Sequence, residues 1–375
     1  MKKIICLSVL IVMYIHGYAQ NGYEREFKVK PGKQLEVDLN TGGSITIEGW
    51  DREIVSVKAD LTERDMDDYK IDIDENSRGI KIDVTSARSG RRRGGVDLEI
   101  YVPTKFDLEV ETMGGEITIK NVEGDTRGET MGGDVDLSDL KGKIELTTMG
   151  GDIKVDRSEL EGEVKTMGGE IIFQDVSGNL NGSTMGGDVI YRNIGMKKLE
   201  NSGKEIRIST MGGEINLDSA PSGANVSTMG GDIHIKHAAK YVKAKTMGGD
   251  IDIDEVDGGI KASTMGGDVT ATMIGDPDQG DREVDLSSMG GDIMLTLPEG
   301  LSIEFDIKLT YTKRSREDYK IISDFPINLK ESEEWDYSQG SARKYIFGTG
   351  EISGGKNRIR IDTINGDIII KKGSK

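Results

Sequence analysis

Hydrophobic and polar residues alternate along most of this chain, in short runs broken by glycine. The alternation is most regular between residues 112 and 297. Apolar residues recur there at Ile117, Val135, Ile153, Ile171, Val189, Ile215, Ile233, Ile251, Val269 and Ile293. A second apolar set stands two places later, as at Ile119, Leu137, Val155, Phe173, Leu217 and Ile253. Period-two alternation over so few residues predicts half-buried β-strands. A corner with one apolar residue follows (Val122, Leu140, Val176, Ala238, Val256), then a second alternating strand such as 144–148 or 260–264. Outside the extreme N-terminus, no segment of any length carries the helical period.

One phrase spaces these strands. Thr112-Met113-Gly114-Gly115-Glu116-Ile117 returns nine more times, with Met at 113, 131, 149, 167, 185, 211, 229, 247, 265 and 289. The steps are 18, 18, 18, 18, 26, 18, 18, 18 and 24 residues. Ten copies at a fixed period signal stacked repeats. Met is always followed by Gly, Gly and an acid, which is Asp in seven copies and Glu in three (Glu116, Glu170, Glu214). Paired glycine supplies the positive φ of a tight corner. A repeat of two short strands and two corners buries almost nothing alone. Stacked, each strand pairs with its copy in the next turn at about 4.8 Å. The expected fold is all-β: a single-stranded parallel β-solenoid, or β-helix, wound right-handed, with 18-residue turns and β-rich capping regions at both ends.

The chain divides into four parts. In residues 1–19, Lys2 and Lys3 precede an apolar run from Ile4 to Ile15 and then Gly17-Tyr18-Ala19. This reads as a signal peptide cut before Gln20. The run is too short to span a bilayer as a mature anchor. Cys6 stands near its start, where it is no lipid-attachment site. Residues 20–111 form an N-terminal β-rich region and cap. Strands are expected at 24–29, 34–39, 44–48, 54–61, 69–74, 80–84, 96–102 and 106–111, and Thr41-Gly42-Gly43-Ser44-Ile45 is a worn copy of the phrase. Residues 86–95 read as a basic, solvated hairpin tip. Residues 112–297 are the regular solenoid, with extra residues near 195–204 and 275–281 on one edge, where insertions are tolerated or form a binding rim. Residues 298–375 are the C-terminal β-rich region and cap. They end on Thr363-Ile364-Asn365-Gly366-Asp367-Ile368, the phrase with Ile for Met and Asn for the first Gly. Open ends would be sticky sheet edges, hence the caps.

These residues carry a resemblance. The segments Leu39-Asn-Thr-Gly-Gly-Ser-Ile-Thr-Ile-Glu-Gly-Trp50-Asp and Leu98-Glu-Ile-Tyr-Val-Pro103, the Gly-Asp-Ile repeats and Asn365-Gly-Asp-Ile-Ile-Ile together resemble the exported bacterial β-strand-repeat proteins of adhesin type, a family of unknown function related to head-GIN domains. The likeness covers nearly the whole mature chain. It implies an extracytoplasmic single-stranded β-helix and names no catalytic residue.

Composition narrows the chemistry. The formal charge of −18 becomes −20 once Lys2 and Lys3 are removed with the leader. An acidic, aromatic-poor surface disfavours nucleic acid and anionic lipid as partners. Cys6 is the only cysteine, so the mature chain would have neither disulfides nor thiol chemistry. The mature chain keeps two histidines, His234 and His237, too few for a Ser-His-Asp arrangement, and both read as surface residues. The acids after Gly-Gly should stack along one edge and repel unless compensated. Calcium would compensate them, but the second glycine and aspartate of a calcium-binding nonapeptide are missing. The expected partners of the acids are instead the amides of the glycine corner. Strict alternation would put Thr inward and Met outward. An exposed stripe of ten Met is rare on soluble proteins. We therefore expect the chain to bend at Met and fold this flexible side chain into the core.

The reading that follows is a non-enzymatic exported protein of adhesin-like or cell-envelope scaffold type, with a protein or glycan partner. It has no catalytic, metal or cofactor residues. It is periplasmic, on the cell surface or secreted. The alternatives are a calcium-dependent surface module and a carbohydrate-active β-helix enzyme. A groove lined by several carboxylates and an Arg would favour the latter.

Overall fold

The computed structural model describes residues 23–61, 67–87, 95–192, 205–315, 318–338 and 340–373. The expected leader at 1–19, most of the basic tip at 86–95 and the insertion at 195–204 lie outside them. Among the described residues there is no helix, and 31 strands join into one hydrogen-bonded sheet. All eight strands expected before residue 112 are present within two or three residues of their expected ends, from Tyr23–Lys28 to Phe106–Thr112.

The repeat sets the register. Val135 pairs in parallel with Ile153, Ile153 with Ile171, and Ile171 with Val189. The column continues through Ile215, Ile233, Ile251 and Val269 to Ile293. All ten members from Ile117 to Ile293 are buried. The second strand builds a facing column, Leu146, Val164, Gly182, Ile208, Val226, Ala244, Ala262 and Leu286. Parallel identical pairing brings like beside like, so each turn extends the same thin core. Fully burying one such aliphatic side chain contributes about 1.5–3 kcal/mol. Local volume is balanced across the core: a Cβ at Gly182 would lie 2.7 Å from Phe173 Cε2, so the small residue makes room for the ring.

Between the two strands the corner is made by residues with left-handed backbone that are not glycine: Asn121, Asp139, Arg157 and Asp175, with φ between 43° and 56°. They recur every 18 residues, and Arg157 Nη2 reaches Asp139 Oδ2 of the previous turn at 2.8 Å. Asn and Asp tolerate this conformation better than most residues.

At both ends the stacking order departs from the chain order. Lys33–Leu39 pairs with Phe106–Thr112 on one side and with Gly79–Ser86 on the other. Ile45–Trp50 likewise lies between Ile117–Lys120 and Asp97–Pro103. The worn copy at 41–45 is therefore the next turn below residue 112, and beyond it lie Gly79–Ser86 and Asp97–Pro103, then Tyr69–Glu75 and Ile54–Asp60, with Tyr23–Lys28 paired outside Ile54–Asp60. At the other end, Asn357–Ile364 lies between Val284–Ser288 and Ile303–Thr312. The closing phrase thus continues the ladder directly, with Ile293 paired to Ile368. Antiparallel pairing occurs, among the described strands, in these end layers: Ile54–Asp60 with Asp97–Pro103, and Ile303–Thr312 with Arg343–Ile352.

Candidate functional site

Each residue of the repeated phrase has a distinct physical setting. Thr points inward: Thr130, Thr148, Thr246 and Thr264 are fully buried. The hydroxyl links two turns. Thr148 Oγ1 donates to Gly133 O at 3.0 Å, and Gly151 N–H donates back to Thr148 Oγ1 at 3.3 Å. The same pair of bonds recurs at Thr166, Thr184, Thr210, Thr228, Thr246 and Thr264. Ser288 makes them where Ser replaces Thr.

The second glycine is required by space. A Cβ at Gly133 would stand 1.7 Å from Gly115 O, and one at Gly213 would stand 2.0 Å from Gly187 O. Every second glycine of the ten copies repeats this conflict, with Cβ positions no more than 2.2 Å from the carbonyl below. The chain can stack at this corner only without a side chain.

The acid carries a hydrogen-bond ladder of its own. Glu170 N–H donates to Asp152 Oδ1 at 2.7 Å, Asp268 N–H to Asp250 Oδ1 at 2.7 Å, and Asp292 N–H to Asp268 Oδ1 at 2.7 Å. All seven Asp of the ten copies accept such a bond from the acid one turn on. Asp367 continues the ladder, accepting from Lys320 N–H. Among the described residues none of the three Glu does so. Their extra methylene carries the carboxylate past the amide, and Glu116 accepts from Thr118 Oγ1 instead. The donors are thus the acids' own amides in the next turn, a correction to the expected glycine amides. Residual repulsion remains. Burial, then neighbouring carboxylates, raise Glu170 above its ordinary value. Asp136 is raised by burial and then by Glu116, and Asp252 by burial, opposed in part by His234. No group of three or more His, Cys, Asp or Glu among the described residues is arranged to hold a metal ion.

Met and the first glycine remain. All ten Met are exposed, by 40–56 %, which overturns the expected buried column. The physical reason is the Thr before them. Its buried hydroxyl already fills the inner corner and satisfies two backbone groups, so alternation runs through the bend and Met points out. The first glycine meets little steric demand, with its closest approach, 3.3 Å, at Gly266. A Cβ at Gly132 would meet nothing within 4 Å, and one at Gly150, Gly168 or Gly230 would make ordinary contacts of 3.5–3.9 Å. Met and Gly therefore form an open edge about 43 Å long, from nine steps of about 4.8 Å, bordered by the acid ladder. Where the protein covers this edge itself, the residues change. In the closing phrase Ile364-Asn365 replaces Met-Gly, and Asn365 is bonded to the layer above through Thr312 N–H to Asn365 Oδ1 at 2.9 Å and Asn365 N–H to Thr310 O at 2.8 Å.

A second feature lies at the other corner of the turns. A groove of about 940 Å³ is lined by residues 239–243, 257–261 and 279–285 with Asp276, Arg358 and Arg360. It holds several carboxylates and three arginines, the kind of groove an enzyme reading would call for. Five of its eleven charged residues are held in ion pairs: Arg282 with Asp257, Lys261 with Asp285, and Arg358 with Asp306 outside the groove. Tyr241 donates to Glu205, and burial together with that bond pushes its phenol up to about 12. His234 and His237 lie on the surface beside Asp254 and Glu255. The groove was missed from sequence because its walls come from turns up to about 120 residues apart, joined only by the strand register.

Parallel strands stacked on an identical inward phase, with a hydroxyl and glycine ladder at the corner, define a β-solenoid repeat protein. The chain belongs to the Toastrack DUF4097 family, a domain of unknown function, whose model matches residues 33–239. No curated protein sequence matches it. Among solved structures it is similar to a candidate adhesin from Parabacteroides distasonis, at 14 % identity over 71 % of this chain and 96 % of that one, with a TM-score of 0.35. A candidate cell adhesion protein from Clostridium sporogenes matches at 12 % identity over 94 % of this chain and 100 % of that one, with a TM-score of 0.18. A candidate lipid-binding protein from Parabacteroides distasonis matches at 12 % identity over 94 % and 97 %, with a TM-score of 0.24.

Proposed function

We propose that this is a non-enzymatic, exported interaction protein of adhesin-like or envelope-scaffold type, and that its Met-Gly edge is the surface that meets the partner. One observation carries the reading. In the repeated phrase, Thr, the second Gly, the Asp and the Ile or Val each answer a packing or hydrogen-bonding demand, whereas Met answers none, and the first Gly answers one only at Gly114, by its φ of 156°, and at Gly266, by a 3.3 Å approach. Flexible, polarisable Met suits a surface that adapts to what it docks, and a glycine beside each Met keeps that surface open. The bordering acids select the occupant: a protein segment with an apolar strip flanked by Lys or Arg. A second copy docking edge to edge would bring two acid ladders together, and like charges so placed oppose it.

The rest of the architecture belongs to the same reading. The coil has 18-residue turns, supported by pairing at a separation of 18 in the regular turns and of 26 and 24 in the two that carry insertions. It winds right-handed, as crossover connections between parallel strands nearly always do. Residues 20–111 and 298–375 act as caps, supported by the antiparallel layers there. The leader is removed before Gln20 on export, which N-terminal sequencing of secreted material tests. The engaged charges of the groove support a non-catalytic role. No helix among the described residues is long and apolar enough to cross a membrane.

The test uses two synthetic peptides, one alternating Leu with Lys and one alternating Leu with Glu, titrated into the mature protein. The Lys peptide should bind, weaken with salt, and lose at least tenfold in affinity against Met167→Gln/Met185→Gln/Met211→Gln at unchanged melting temperature. Equal binding of both peptides, no binding of either, or full binding by the triple variant would overturn the proposal.

A further inference from the structure

The groove at the other corner is preformed, and the device that forms it is Arg282. This side chain is only 2 % exposed. Its guanidinium donates to Ile274 O at 2.6 Å, to Gln279 O at 2.8 Å and to Asp257 Oδ1 at 2.6 Å. Asp276 closes the loop on itself through Gln279 Nε2 at 2.9 Å. The insertion near 275–281 is therefore pinned as a wall rather than left as slack. Fixing a wall before binding removes an ordering cost from the ligand's affinity.

The floor is equally specific. Gly259, paired with Tyr241, has no side chain, and a Cβ there would still find its nearest neighbour at 3.4 Å. Along the floor runs a ladder that pairs Lys243 with Lys261, Lys261 with Asp285, and Asp285 with Arg360. Its members are about 4.8 Å apart. The lining holds Lys240, Lys243, Lys261, Arg282, Arg358 and Arg360 against Asp257, Asp276, Asp281, Glu283 and Asp285, an excess of one cation, 6 − 5. In a chain of formal charge −18 this is a local reversal of sign. Lys240 and Arg360 have no ion pair among the described residues, and Lys243 lies over the Tyr241 ring at 5.3 Å.

We propose that this groove binds a linear acidic oligosaccharide, a glycan whose sugar rings carry carboxylates. Three features select that class. The floor ladder sets three donors, Lys243, Lys261 and Arg360, beside one acceptor, Asp285, which suits a chain of carboxylates and hydroxyl groups that both give and take hydrogen bonds. The unpaired cations suit a carboxylate on every ring or every second ring, in a ladder that advances roughly one ring per turn. An added peptide strand is disfavoured, because the floor strands already pair on both sides. The site is separate from the Met edge and stands or falls independently of it.

The experiment titrates oligogalacturonate, its methyl-esterified neutral form, and sodium sulfate into the mature protein by calorimetry without calcium. The acidic oligomer should bind, with affinity falling as salt rises. The neutral form should bind at least tenfold more weakly, and sulfate should not compete at similar concentration. Lys240→Gln/Arg360→Gln, both on the surface, should cost at least tenfold at unchanged melting temperature. Met185→Gln should leave binding unchanged. Failure of oligogalacturonate, and of an oligomannuronate run beside it, to bind would overturn the proposal. So would equal binding of acidic and neutral forms, equal competition by sulfate, or full binding by the double variant.

Discussion

Asp152 donates its backbone N–H to Oδ1 of Asp134, the equivalent residue one turn below, across 2.9 Å. This contact turns a column of like charges into a ladder of hydrogen bonds, and it depends on side-chain length.

Asp250 tests that dependence, since it accepts from Asp268 N–H at 2.7 Å. Asp250→Asn keeps an oxygen at the same place and removes a charge, so stability should be unchanged or slightly higher. Asp250→Glu should lose the bond and cost about 0.5–1.5 kcal/mol, the usual net contribution of one hydrogen bond. Urea denaturation of the two variants checks the contrast. A Glu variant as stable as the parent would show that the ladder contributes nothing.

The two glycines of one phrase should behave oppositely. Gly213→Ala places a methyl 2.0 Å from Gly187 O, a backbone atom that cannot step aside, and should cost 3 kcal/mol or more, beyond the usual overpacking range of about 1–3. Gly212→Ala meets its nearest atom at 3.4 Å and should stay within about 0.5 kcal/mol. Thermal melts of both single variants decide it. Equal effects would mean that the corner does not stack as described.

Thr228→Val tests the inward hydroxyl. It keeps the shape and removes the donor to Gly213 O at 3.0 Å and the acceptor of Gly231 N–H at 3.3 Å. Two backbone groups lose their partner at a closed corner, at a cost of about 1–3 kcal/mol. Amide exchange should quicken at Gly231 first. Unchanged protection there would count against the bond.

Mild acid should stabilise this protein. Burial raises the carboxyls of Asp136, Glu170 and Asp252 in the folded state. A carboxyl with a raised folded pKa holds its proton more tightly folded than unfolded, so its ionisation subtracts from stability. The penalty is present at neutral pH and is relieved as pH falls through the raised values toward the ordinary 3.8 of Asp and 4.5 of Glu. Calorimetry at low salt should show the melting temperature rising as pH falls from neutral toward those ordinary values, and Glu170→Gln should flatten the rise. A steady fall over that interval would contradict the assignment.

The sequence carried the register of the fold because period and alternation are local. Ile117 and its nine equivalents could be placed inside from spacing alone. The stacking order at the ends could not. That Leu39 pairs with Thr112, and Ile293 with Ile368, depends on excursions of the chain that leave no periodic trace. The groove was hidden for the same reason, since Lys243 and Arg360 meet only through two intervening strands. The Met column was misplaced by a general rule, the rarity of exposed apolar stripes, where the local alternation at Thr184-Met185 already pointed outward.

Met185 and its equivalents serve the surface and not the fold. Urea denaturation of Met185→Ala tests this most directly. With Met185 about half exposed, the loss should lie within about 0.5 kcal/mol, as for other surface substitutions. A loss of roughly 2–5 kcal/mol, the cost of emptying a core position, would put the methionines inside and contradict the account.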